Sequence, residues 1–202
     1  MKYLTVPFFI IVGILLGYLA SKNNIKSLFV SGQMKDVKTS AAITQAPTII
    51  PAADPKILSI PKLGIEAPIE EVGMDASGAM DIPQKANDTA WYKLGPKPGQ
   101  MGSAVIDGHV DWYSGPAVFF RLNELNINDI VRVTAADGKK YTFRITDKKR
   151  FDDKNFPIAE VFTKNDAKRL NLITCVGTFD KKTKNYSQRL VIFSVLVEGA
   201  DQ

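Results

Sequence analysis

From residue 57 onward the chain is divided into short apolar runs of about four to eight residues, rich in Val, Ile, Phe and Tyr and separated by turn-forming residues. This rhythm constrains the fold more than any other feature. Such runs are too brief for packed helices, and their recurrence predicts an all-β domain, closed or nearly so. The clearest local unit joins Ile130-Val131-Arg132-Val133-Thr134 to Tyr141-Thr142-Phe143-Arg144-Ile145-Thr146. Both segments alternate with a period of two, and Asp137-Gly138 between them supplies a hairpin turn. The stretches from Phe119 to Leu125 and from Lys164 to Leu170 read as helices of one or two turns, with Asn165-Asp166 able to start the second.

Ahead of this region lies a different kind of sequence. Tyr3 to Ala20 carries no charged residue and is largely Ile, Leu, Val and Phe. Eighteen residues in helix span about 27 Å, just enough for a hydrocarbon core of about 30 Å, so residues 1–20 are expected to form a transmembrane anchor. The competing reading is a secretory signal peptide, for which Leu19-Ala20-Ser21 is a weak cleavage site. Lys2 precedes the segment while Lys22 and Lys26 follow it, so the positive-inside rule leans toward an inward-facing domain. Residues 21–54 hold spaced prolines, including Pro47 and Pro51, and are expected to form an extended, semi-stiff stalk. Residues 55–202 then constitute the folded domain, for which 45% hydrophobic content provides a core.

A net charge of +5 raises nucleic acid as a partner, but the lysines are scattered and not interleaved with aromatics at a regular spacing. Were the domain exported, attraction to anionic wall polymers or lipid headgroups would be the simpler account of its charge.

The chemistry is confined by scarcity. The chain has one histidine, His109, and one cysteine, Cys175. An internal disulfide is excluded, no structural zinc cluster can be assembled, and no cofactor is called for. His109 closes Ser103-Ala104-Val105-Ile106-Asp107-Gly108, and Cys175 closes Leu172-Ile173-Thr174. Arg189 opens a further apolar run, Leu190-Val191-Ile192-Phe193. Each residue alone has an ordinary reading: a buried thiol as a small hydrophobe, a structural imidazole, a surface cation. Together they make a nucleophile, a proton carrier and a permanent cation, all expected at strand ends. Asp107 and Asp111 flank the histidine and are candidates to tune it.

In these segments the chain resembles the sortases, membrane-anchored cysteine transpeptidases of mainly Gram-positive bacteria. The resemblance rests on Thr174-Cys175 after one apolar strand, Gly108-His109 after another, and Arg189 at the head of a terminal strand. It extends over roughly residues 55 to 202 through Ile57-Leu58-Ser59-Ile60-Pro61-Lys62-Leu63-Gly64-Ile65 and Phe119-Phe120-Arg121-Leu122-Asn123-Glu124-Leu125. It implies an eight-stranded closed β-barrel with short helices, with the N-terminus in the cytoplasm and the domain outside. The text around the histidine and cysteine looks most like the class D, E and F group, and the lack of a long lid insert or a second membrane helix argues against a pilin-polymerising type.

The resemblance further implies a catalytic trio of Cys175, His109 and Arg189. Cys175 is expected to attack a peptide carbonyl in a C-terminal Leu-Pro-x-Thr-Gly sorting signal, and His109 to move the proton. Arg189 cannot act as a base, so donation to the developing oxyanion, or to the substrate backbone, is left to it. Thr174 is a further candidate for substrate binding, through its backbone N–H or its hydroxyl toward the same carbonyl. The partners implied are secreted proteins bearing such a signal and an amine of a cell-wall precursor or pilin lysine. At ordinary pKa values only about 3% of the thiol would be ionised at pH 7, so either the site shifts these values or the enzyme works from a minor form, and the resemblance implies the second, a reverse-protonated pair. A non-catalytic tethered barrel and a hydrolytic cysteine peptidase remain the alternatives.

Overall fold

The computed structural model describes residues 52–197. The expected anchor over residues 1–20 and nearly all of the stalk over 21–54 lie outside them. Among the described residues no helix is long and apolar enough to cross a membrane.

Eight strands close into a barrel. β1 (Pro55–Ile60), β2 (Ile65–Val72), β3 (Thr89–Tyr92) and β4 (Gly102–Gly108) follow one another around it. After a two-stranded ribbon of β5 (Asp111–Trp112) and β6 (Gly115–Pro116), the chain continues with β7 (Ile130–Ala135) and β8 (Lys140–Asp152). The circuit is completed by β9 (Lys168–Asp180) and β10 (Asn185–Leu196), in the order β1-β2-β3-β4-β9-β10-β8-β7. β2–β3 and β4–β9 run parallel and the other pairs antiparallel. The closed all-β architecture inferred from the apolar rhythm is therefore observed. The β7–β8 hairpin forms where the alternation placed it, with Gly138 at φ 81° in its turn.

Alternation divides the apolar residues between two cores. Leu58, Ile106, Phe143, Leu172 and Ile192 are fully buried inside the barrel. On its outer face Val105, Ile173, Val191 and Phe193 pack with Val161 from the connection between β8 and β9. Burying these side chains is the main stabilising contribution, on the order of 1.5–3 kcal/mol each.

The helical expectations are met in part. A single 3-10 turn at Leu122–Glu124 occupies the first predicted site. No helix forms over 164–170. The helical turn comes earlier, at Ala159–Thr163, and β9 begins at Lys168. The reason is visible in the packing: Leu170 and Leu172 point into the barrel, a period of two that a helix would break, while Asp166 takes an ion pair with Arg169.

Candidate active site

The outward-facing set on β4, β9 and β10 leads from the second core into a groove of about 990 Å³. Val105 and Ile173 lie in that core, so Asp107 and Cys175, two residues further along their strands, emerge from the same face. Arg189, two before Val191, does likewise on β10. Arg189 and Cys175 are cross-strand partners, and Asp107 stands opposite Ile173. Asp107, His109, Asp111, Cys175, Tyr186 and Arg189 line one end of the groove, and Met74, Met80, Leu94, Met101, Ile158 and Phe162 its apolar remainder.

One expectation about position needs correction. Neither Cys175 nor Arg189 sits at a strand end: β9 runs on to Asp180, and β10 starts at Asn185. What ends near the cysteine is the neighbour, since β4 stops at Gly108. The β9–β10 ribbon continues beyond that point, and the shortened edge opens the groove over Cys175.

Gly108 is required by packing. A Cβ there would lie 2.5 Å from Cδ2 of Phe119, a fully buried ring. The backbone then delivers His109, whose carbonyl accepts the Phe119 N–H at 2.9 Å. The imidazole lies against Trp112, with ring centroids 4.8 Å apart, and its Nε2 is 2.8 Å from the Pro83 carbonyl oxygen. A carbonyl only accepts, so Nε2 carries a proton and Nδ1 is the nitrogen that can gain or lose one.

Thr174 does not reach the groove. Its side chain is buried, and its hydroxyl donates to the Gly108 carbonyl at 2.7 Å, tying β9 to β4. Its hydroxyl is therefore committed to a strand-to-strand bond, which leaves the backbone N–H as the other contribution expected of Thr174.

The electrostatics oppose a resting thiolate. Burial pushes the Cys175 thiol up to about 11; Arg189 draws it down, while Asp107, Asp153 and Asp111 add to the rise. Burial also raises the Asp107 carboxyl to about 7 against the pull of Arg189. Tyr186 donates its hydroxyl to Asp111 at 2.5 Å and is itself raised to about 12 by that bond. Sequence reasoning missed Pro83, Asp153, Asn185 and Tyr186: Pro83–His109, Asp153–Asn185 and Tyr186–Asp111 join segments far apart in the chain, and the shorter links from Asn185 and Tyr186 to Arg189 form no recognisable motif.

The family model described as the sortase domain matches residues 58–197. The chain belongs to the sortase family. Solved sortases share its fold. Sortase A from Corynebacterium diphtheriae (a lid mutant) superposes with a TM-score of 0.57 at 18% identity, covering 75% of this chain and 74% of that one. Sortase C-1 from Actinomyces oris gives 0.56 at 19%, covering 74% and 76%. The Clostridium perfringens sortase D5 transpeptidase gives 0.54 at 17%, covering 71% and 79%. A search of curated proteins returned no match. Membership in a family of cysteine transpeptidases gives a context to the thiol, imidazole and guanidinium that line this groove.

Proposed function

We propose that this sortase cleaves a C-terminal Leu-Pro-x-Thr-Gly type signal through a Cys175 thioester and transfers the acyl group to a cell-wall amine. The domain would work on the outer face of the membrane, anchored through residues 1–20 and spaced from it by residues 21–54. The observation that carries the reading is the cross-strand pair of Cys175 and Arg189, facing the groove that His109 enters from β4. A binding module has no need for a thiol, an imidazole and a cation at one spot.

In this reaction the Cys175 thiol gives its proton to Nδ1 of His109 as the sulfur bonds to the peptide carbonyl carbon, and the oxygen takes up negative charge that Arg189 meets with a donor. The C–N bond then breaks, and His109 hands that proton from Nδ1 to the departing amine. An incoming amine attacks the thioester and gives its proton to His109; the new C–N bond forms as the C–S bond breaks, and His109 returns the proton to the sulfur. With the thiol near 11, the free enzyme rests as the neutral thiol at pH 7. Ionising it costs on the order of 5 kcal/mol, a share of the barrel's catalytic barrier that substrate binding must offset.

The test is incubation of the protein with a panel of sorting-motif peptides and candidate amines, read by mass spectrometry. Amide-linked product that vanishes in Cys175→Ala is the expected outcome. Free acid as the sole product would favour a hydrolytic peptidase, and turnover retained in Cys175→Ala would end the cysteine mechanism.

A further inference from the structure

The guanidinium of Arg189 is held by a ring of contacts that the reaction itself does not require. Its Nη1 donates to the backbone carbonyls of Tyr186 at 3.0 Å and Gln188 at 3.1 Å. Its Nη2 donates to Oδ1 of Asn185 at 2.8 Å and makes an ion pair at 2.8 Å with Oδ1 of Asp153. Asn185 Nδ2 closes the ring by donating to the other oxygen of Asp153 at 2.7 Å, and Asn185 Oδ1 also accepts the Tyr186 N–H at 2.9 Å. Asp153 opens the 3-10 turn Asp153–Asn155 after β8, and Asn185 is the first residue of β10. The ring therefore joins the β8–β9 connection to the base of the β9–β10 ribbon.

A long, rotamer-rich side chain on a strand would otherwise sample many positions, and catalysis by a donor depends on its being in place beforehand. Both terminal nitrogens are committed. Among the described residues Nε–H has no acceptor, and it belongs to the part of the side chain nearest β10, where Arg189 faces Cys175 across the ladder. We propose that Asp153 and Asn185 are positioning residues for Arg189, holding the guanidinium so that Nε–H is the donor left for the reacting carbonyl. The proposal rests on the reading of Cys175 as nucleophile and goes beyond it: Arg189 would act through one donor, and not through the planar fork formed by its two ends.

Asn185→Ala in the full chain leaves every charge in place and removes one side of the ring. If Asn185 positions Arg189, the cation drifts from the thiol it favours in ionised form, and iodoacetamide alkylation of Cys175 at about pH 8 slows several-fold toward the rate of Arg189→Ala. With a sorting peptide, kcat falls about tenfold or more while KM stays within about twofold, and the variant remains folded. Asp153→Asn keeps the size of the side chain but removes its charge and one of its two accepting oxygens, so the ring loses a bond, and it is expected to lower kcat similarly while remaining folded. A folded variant of either kind with kcat within about twofold of wild type overturns the proposal. So does unchanged alkylation in Asn185→Ala. The alkylation arm needs no substrate, so it remains decisive if no peptide is turned over, a result that would instead remove the transpeptidase reading.

Discussion

Asp107 opposes the ionisation of Cys175 from the adjacent parallel strand, on the same face of the sheet. Both groups are held in their protonated forms by burial. A second acidic group beside the Cys175 thiol is an odd arrangement if the aim were a standing thiolate. It is a sensible one if the aim is to keep the thiol quiet until a substrate excludes water and neutralises the site.

The thiol's reactivity should report this directly. Alkylation of Cys175 by iodoacetamide is expected to keep rising through about pH 9 and to level only near pH 11, because the thiolate is the attacking form. A plateau near the ordinary thiol value of about 8.5 would show that burial and the acidic neighbours do not act as described.

Asp107→Asn carries a stability signature with a definite sign. The folded protein holds a proton on Asp107 that the unfolded chain releases, so between about pH 4 and pH 7 the wild type loses stability as pH rises. Asparagine has no such proton. The two proteins should melt alike near pH 4, and by pH 7.5 the variant should be ahead by on the order of 2–4 kcal/mol. Its Cys175 should also alkylate faster at neutral pH, since a carboxylate that raises the thiol is gone. Parallel stability curves across this range would count against a buried, raised Asp107.

Arg189→Lys separates charge from geometry. Lysine keeps the cation but cannot meet Asp153, Asn185 and two carbonyls at once, and it lacks Nε–H. We expect kcat to drop roughly 10²-fold or more and stability to fall by about 1–3 kcal/mol. Kinetics and calorimetry on one preparation check both; near-wild-type kcat would take Arg189 out of the chemistry.

Gly108→Ala should be costly for a residue that bears no side chain. The added methyl meets a buried aromatic ring, and overpacking of this kind costs about 1–3 kcal/mol. Because the next residue is His109, activity should fall further than stability. A variant that melts and turns over like wild type would mean that Phe119 yields freely.

Legibility in the sequence followed locality. The β7–β8 hairpin was readable because its period and its Asp137-Gly138 turn lie within one short window. His109, Cys175 and Arg189 were readable from residue type and from the short motifs around them. The helix expected near Lys164 was misplaced because Asn165-Asp166 resembles a helix start, whereas the alternation of Leu170 and Leu172 toward the interior decided the outcome. Thr174 looked available beside the cysteine, and only the approach of Gly108 explains its hydroxyl. Asp153 and Asn185 are 32 residues apart and meet through closure of the barrel, which no local pattern announces.

Cys175 and Arg189 both lie on barrel strands, but two of the three candidate groups are also tied to segments outside it. His109 is leashed to Pro83, in the segment between β2 and β3, and Arg189 to Asp153, where the β8–β9 connection begins. These same segments furnish groove walls, through Met80 and Ile82 in one and Phe156 and Ile158 in the other. The residues that hold the imidazole and the guanidinium thus lie in the same two segments that wall the groove. Under the proposed function, a substitution in either wall bears on the alignment of His109 or Arg189 as well as on the fit of a peptide.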